Sequence, residues 1–289
     1  MLELTLLLGG GFGAGVFGAL LGLGGGVLIV PLLSLAFGLP VREAVGVSLV
    51  CVIVTSSAAA AVYLDRQVAN LRLGMTLEIF TATAATVGGL VAFMIPDRAI
   101  ALLFAVLLAY VAVTMGRAAR STGRPGTEEG SVPALDDQAD ERPLPLEAAA
   151  NPPEARGFID RLSGPGYRVH HLGLGIAGSL FAGVVSAILG IGGGIVKVPV
   201  MNLLMGVPLR TAAATSNLMI GVTASAGGLV YLFRGGIDPY VAAPTAAGVF
   251  VGASITSRLA HRVDVRALRL LFVVVLAVTA AQMLLKGLA

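Results

Sequence analysis

The residues in this chain best placed to do chemistry are two glycine runs. Gly22-Leu-Gly-Gly-Gly26 and Gly190-Ile-Gly-Gly-Gly194 are each followed five residues later by a proline, Pro31 or Pro199. Glycine is a poor residue for a helix interior and a good one for a break. A helix that restarts after such a run offers free N–H groups and the positive end of its dipole, which suits an anion. Two readings compete here. The glycines Gly24, Gly25, Gly26, Gly192, Gly193 and Gly194 form an anion cradle, or they are notches that let membrane helices cross closely. The duplicated motif with its paired prolines favours the cradle. A dinucleotide-binding turn is a poor match, because no soluble βαβ context surrounds either run.

Other polar residues cluster near these runs. Lys197 stands three residues beyond Gly194, deep in a bilayer if the break lies near the midplane. An ammonium there costs at least ~2.5–3.5 kcal/mol. It either meets an anionic substrate or snorkels to a surface. Glu78 lies about five residues into an apolar run; it is a candidate for proton coupling or an interfacial carboxylate facing water. Ser48, Thr55, Ser56 and Ser57 in one run are answered by Thr215, Ser216, Asn217, Thr223 and Ser225 in another. Such groups replace an oxyanion's hydration shell or join helices. Thr215-Ser216-Asn217 is the densest of these clusters and, with Ser48, is expected to face substrate. Arg42 and Arg210, just after Pro40 and Pro208, read better as interfacial anchors than as guides for anions. His170, His171 and His261 fall at the edges of runs and form no metal-ligand set. No Walker A, HExxH or GxSxG pattern is present. The expectation is therefore no enzyme, no metal and no cofactor.

The elements that must position these residues follow from composition. The chain has 289 residues, of which 56% are hydrophobic and 12% charged, and its mean hydropathy is +0.92. Soluble domains carry about a quarter charged residues, so an ordinary cytosolic enzyme is excluded. The single Cys51 excludes a disulfide framework. The net charge of +3 does not mark a nucleic-acid binder, since the basic residues are scattered between long apolar runs and read as membrane anchors. Gly 39 against Trp 0 favours closely packed membrane helices. The first residues carry no basic segment and the apolar stretch runs on to about Gly38, so a removable signal peptide is not expected.

Shifting the chain by 168 residues aligns its two ends without a gap, and nearly half the positions from Gly10 to Arg66 are identical. Pro31, Pro40, Arg42 and Tyr63 meet Pro199, Pro208, Arg210 and Tyr231, which Ala/Gly bias cannot produce. This is a duplication. Residues 1–118 and 172–289 form the two membrane repeats. Residues 119–171, rich in proline and acid, form a solvated, largely disordered linker. Apolar runs lie at about 4–38, 43–64, 73–95 and 99–118, then at 172–206, 211–232, 239–257 and 267–285. The last three of each set suit one crossing. The first is too long for one, and reads as two short helices joined at the glycines. If that broken pair is a hairpin, each half crosses an odd number of times and the second is inverted. That arrangement puts 14 of the Lys and Arg residues on one side and 4 on the other, leaving Lys197 aside, whereas parallel repeats give 11 and 7. The positive-inside tendency selects the inverted form, with the linker cytoplasmic and both termini outside. The fold expected is an all-α polytopic membrane protein of two inverted repeats, each a broken helical hairpin plus three transmembrane helices.

Paired Gly-x-Gly-Gly-Gly-x₄-Pro segments, each followed by Gly-x-Pro and, in the second half, by Ala212-Ala-Ala-Thr-Ser216, resemble the sulfite exporter TauE/SafE family of bacterial inner-membrane permeases. The first half departs, with Val47-Ser48 where Thr-Ser is the pattern, which shifts weight to the second half. The resemblance implies transport of small sulfur-containing oxyanions. The reading is a secondary transporter for small anions, working by alternating access around two opposed helix starts, with an anionic substrate and the bilayer as partners and no nucleic acid. A passive anion channel and a membrane scaffold or sensor are the alternatives.

Overall fold

The structure, a computed structural model, describes residues 2–21, 25–65, 69–121, 162–163, 167–259 and 265–288. Its regular elements are helices. The first half contributes α1 (Leu2–Leu21), α2 (Gly26–Pro31), α3 (Val41–Asp65), α4 (Leu71–Ala92) and α5 (Asp97–Ser121). The second contributes α6 (Leu172–Leu189), α7 (Gly194–Pro199), α8 (Leu209–Phe233), α9 (Pro239–Leu259) and α10 (Val265–Leu288). Adding 168 to the first residues of α2 to α5, at 26, 41, 71 and 97, gives 194, 209, 239 and 265, the first residues of α7 to α10. The duplication thus governs helix starts well beyond the segment where it is legible as identity.

The long apolar run does divide at the glycines, but unequally. α1 has 20 residues, close to a full hydrocarbon thickness at about 1.5 Å per residue. α2 has 6 and widens at Pro31 into a π-helical turn, Leu32–Ala36. α7 does the same at Pro199, with its π-turn at Val200–Leu204. Proline has no N–H to give to the helix ladder, so a widened turn follows it. The expectation of two short helices is corrected accordingly. Gly25 and Gly193, which cap α2 and α7, have φ of 72° and 76°, a left-handed conformation that costs a residue with a Cβ about 1–2 kcal/mol.

The halves interleave. α1 packs on α9 and α6 on α4, so the first helix of each half lies against the fourth helix of the other. α3 packs on α8 and α5 on α10. Small residues permit this: Gly11 and Gly15 of α1 abut the backbone of Thr245 and Val249, while Gly248 and Gly252 of α9 abut that of Leu8 and Phe12. Lipid gives helices no hydrophobic reason to associate, so close backbone packing must supply it. Among the described residues, four helices, at Leu71–Ala92, Asp97–Thr114, Leu172–Leu189 and Thr211–Phe233, are long and apolar enough to cross a membrane.

Two ends of the bundle are distinct. At one, Arg42 Nη2 is 3.1 Å from Asp97 Oδ1 and donates to Ile95 O at 2.8 Å. Arg42 and Arg234 both lie over the Phe93 ring, and Lys286 Nζ donates to Ser34 O and Oγ at 2.7 Å. Arg42 is therefore tied down by protein groups, consistent with an anchor; the side chain of Arg210 lies outside the described residues. At the other end, Asn70 caps α4, its Oδ1 accepting from Leu73 N–H, and its amide donates to Leu162 O and the Tyr167 hydroxyl. Leu162 and Val169 are buried there beside Leu73, Met201 and Met205. This end of the linker is thus docked, where solvation was expected, because Leu162, Tyr167 and Val169 supply apolar surface that the acidic, proline-rich average conceals. Residues 122–161 lie outside the described residues. α8 begins at this second end and finishes at the first.

Candidate functional site

The second break organises a buried charge cluster. The N–H of Lys197 donates to Gly193 O at 3.0 Å, which places Lys197 in the first turn of α7. Its Nζ donates to Glu78 Oε2 of α4 at 3.0 Å and to Thr223 Oγ1 of α8 at 2.6 Å. The Thr223 hydroxyl in turn donates to Glu78 Oε1 at 2.6 Å. The three groups close a triangle in which both carboxylate oxygens are engaged. Lys197 is 1% exposed, Glu78 7% and Thr223 0%. Removing both charges from water is costly and holds only when the pair is close and otherwise hydrogen-bonded, as it is here. Lys197 thus neither snorkels to a surface nor waits for a substrate to balance it in this structure: its counter-charge stands on Glu78. Glu78 itself is buried, not at a water-facing interface.

The two breaks touch. Ser48 Oγ of α3 lies 2.7 Å from Gly190 O and 3.3 Å from Gly26 O, one from each half. A Cβ on Gly26 would stand 2.6 Å from Gly190 O, so only glycine permits this approach. Ser216, at the position in α8 that matches Ser48, is buried with its hydroxyl unpartnered among the described residues; so is Ser186 of α6. Both flank the start of α7: a Cβ on Gly194 would lie 3.6 Å from Ser216 Oγ, and one on Gly193 3.3 Å from Ser186 Cβ. Buried polar atoms without partners are rare and ask for an explanation such as a water or a ligand.

The remaining candidates are distributed around this centre. Gly25, Gly26, Gly192, Gly193 and Gly194 line the two breaks, with Gly192 also left-handed at φ 76°; Gly24 lies outside the described residues. Thr215 Oγ1 accepts the Asn70 N–H at 2.9 Å, which ties α8 to the start of α4. Asn217 is buried, and its backbone carbonyl accepts from Ser56 Oγ at 2.6 Å. Sequence reasoning missed Thr223 as the third member of the charge cluster, and Ser186 altogether. One signal for the cluster was available. Shifted by 168, Lys197 meets Ile29 and Glu78 meets Ala246, so both charges vanish together in the other copy, while Thr223 meets Thr55.

Comparison with known proteins identifies the family. The model of the family described as Sulfite exporter TauE/SafE matches residues 7–283. A probable membrane transporter protein, YunE, of Bacillus subtilis is 22% identical over 283 residues, covering 95% of this chain and 94% of its own length. The probable membrane transporter protein MJ0441 of Methanocaldococcus jannaschii is 27% identical, with 83% of this chain and 76% of its own length covered. MamO of Paramagnetospirillum magneticum, also a probable membrane transporter protein, is 28% identical across 94% of this chain but only 43% of its own length. No solved structure matches the chain. With both glycine breaks, Glu78 and Lys197 inside a match that runs from α1 to α10, the chain belongs to the sulfite exporter TauE/SafE family.

Proposed function

We propose that this protein is a secondary transporter of small anions, with sulfite-like or organosulfonate oxyanions as cargo, in a bacterial inner membrane. The anion is held between the two glycine breaks, at the starts of α2 and α7, and reaches either side by alternating access. The observation that best supports this is Ser48, which lies within hydrogen-bond distance of both breaks at once. The unpartnered hydroxyls of Ser186 and Ser216 offer donors at the second break, where the first-half counterpart of Ser186 is Gly18. A tetrahedral or pyramidal oxyanion takes several such donors together with backbone N–H groups. The family's description supports export of a sulfur oxyanion, and the relatives' names support membrane transport.

The two halves in this reading are inverted, with both termini periplasmic and the linker cytoplasmic. The matching turns at Gly38 and Gly206 support this. The first lies with Lys286, which reaches Leu39 O, and the second with the linker's end, where His170 N–H donates to Met205 O. Cysteines placed at Ser131 and Ala289, in a chain lacking Cys51, test it in intact cells: only the second is expected to react with an impermeant reagent.

The substrate class is tested with purified protein and a panel of sulfite, sulfoacetate, isethionate, sulfate and acetate. A ligand present at 100 times its Kd stabilises the folded state by about 2.7 kcal/mol, so the true class raises the melting temperature. Flux of the same anions into proteoliposomes should follow the same order. Stabilisation by acetate alone, or by none of the panel, overturns the assignment.

A further inference from the structure

We propose that the Lys197–Glu78–Thr223 triangle is the coupling site of the transporter, where an anion and Glu78 compete for one ammonium so that each anion is carried together with one proton. The inference rests on the anion reading above and adds the coupling ion, its residue and its ratio.

The argument begins with what the triangle leaves unfilled. Lys197 belongs to α7, the short helix after the second break, while its partners stand on α4 and α8. It is a buried cation one helical turn from Gly193. In this structure its charge is cancelled by Glu78, so an anion at the break finds no free cation until that pair opens. When an anion takes the ammonium, Glu78 and Thr223 lose it. A carboxylate then left in an apolar site is strongly disfavoured and takes a proton from water on the side from which the anion came. Anion and proton enter together. When the anion leaves on the far side, Lys197 pairs again with Glu78 and the proton returns to water there. Atoms and charge balance: one anion and one proton cross, and the carrier returns in its paired, neutral form.

The surroundings isolate this exchange. α6, which packs on α4, has no titratable side chain, and neither does the π-turn after α7. On α8, Arg210 precedes Thr223 by 13 residues and Tyr231 follows it by 8, with its hydroxyl given to Ala187 O. On α4, Arg72 is exposed six residues before Glu78, and Tyr167 is held still further away at Asn70. Lys197 is thus the charged group that faces Glu78 among the described residues. The other copy supports a dedicated role. Ile29 and Ala246 occupy the matching positions, and Thr55 there gives its hydroxyl to Cys51 O and Val52 O of its own helix. The same helix packing stands without any charge, so the pair is not a requirement of the fold.

The experiment uses the full chain in proteoliposomes with isethionate, a sulfonate whose own charge does not change with pH. Internal pH is followed with a trapped dye while labelled isethionate is counted. Wild type is expected to move one proton with each isethionate. A pH gradient should drive uptake, and an imposed membrane potential should not, since the pair of ions is neutral. In Glu78→Gln, the loaded carrier resembles wild type but the empty one holds an unpaired ammonium. Exchange of internal for external isethionate should therefore survive, while net flux falls roughly 100-fold further than exchange does. If that variant fails to insert, Glu78→Gln/Lys197→Met removes both charges and should carry its residual flux without protons. Isethionate flux with no proton, flux driven by the potential, or equal loss of exchange and net flux in Glu78→Gln overturns the coupling and leaves the anion reading standing. A wild type that moves no member of the panel overturns the anion reading, and the coupling with it.

Discussion

At the first break, the position one turn into the short helix is Ile29, fully buried in the main apolar core; at the second it is Lys197, held by Glu78 and Thr223. The backbones around them correspond closely. Both breaks end on a left-handed glycine, both short helices widen after a proline into a π-turn, and both continue into a turn at Gly38 or Gly206. Duplication has thus supplied the same scaffold twice and the charge once. The reason is energetic. A lone ammonium or a lone carboxylate at this depth is strongly destabilising, so both partners must be present or both absent. They also come from different halves, Glu78 from the first and Lys197 from the second, and this makes the pair a joint property of the interleaved bundle.

The largest effect should come from splitting that pair. Lys197→Met alone or Glu78→Gln alone leaves one group without its partner and should cost about 3–5 kcal/mol. The double variant should recover most of this loss, and Ile29→Met at the uncharged break should cost less than about 1.5 kcal/mol. Thermal unfolding in detergent measures all four. Additive losses in the double variant would show that the two side chains do not meet.

A second contrast lies in the glycines themselves. A Cβ on Gly26 meets the backbone oxygen of Gly190 at 2.6 Å, whereas one on Gly194 meets the tip of Ile220 at the same distance. Backbone cannot step aside as a side-chain methyl can. Gly26→Ala should therefore cost about 1–3 kcal/mol as an overpacked contact and depress transport, with Gly194→Ala the milder change. The reverse order in melting temperature and flux would mean that the two breaks do not touch as described.

The matched serines give the next contrast. Ser48→Ala removes the donor to Gly190 O and leaves a buried carbonyl short of a partner, at about 1–3 kcal/mol. Ser216→Ala removes a hydroxyl with no partner and should leave the unliganded protein unchanged or slightly more stable. Repeating both melts with sulfite sharpens the test, because Ser216→Ala should then lose part of the stabilisation seen in wild type. A Ser216→Ala protein that responds to sulfite like wild type would remove Ser216 from the cradle.

The smallest effect concerns how each π-turn is tied. In the first half Lys286 reaches across from α10 to Ser34, while in the second Asn202, at the matching position, donates to Val207 O at 2.9 Å. Asn202→Ala should cost about 0.5–1.5 kcal/mol and raise amide hydrogen exchange in Val200–Leu204 without changing Leu32–Ala36. Equal changes in both turns would show that they are coupled.

Much of this protein could be read from its sequence because a membrane imposes simple rules. The apolar runs located α3, α4, α5, α8, α9 and α10 to within a few residues, since about 20 residues are needed for one crossing. The offset of 168 joined the two copies because paired prolines, arginines and tyrosines do not recur by chance. The glycine runs marked the breaks, as only glycine adopts the left-handed turns at Gly25 and Gly193 without cost. The tertiary structure decided the rest. Glu78 and Lys197 are 119 residues apart, and no local pattern says that α4 and α7 meet. In the sequence each is an isolated charge, which leaves Lys197 to a substrate or to a membrane surface for balance. The docked end of the linker was hidden because three apolar residues do not offset an acidic average. Local periodicity and composition dictate which segments enter the bilayer. Which polar groups meet inside it depends on how the two halves interleave, and that is set by close backbone packing summed over many helix pairs.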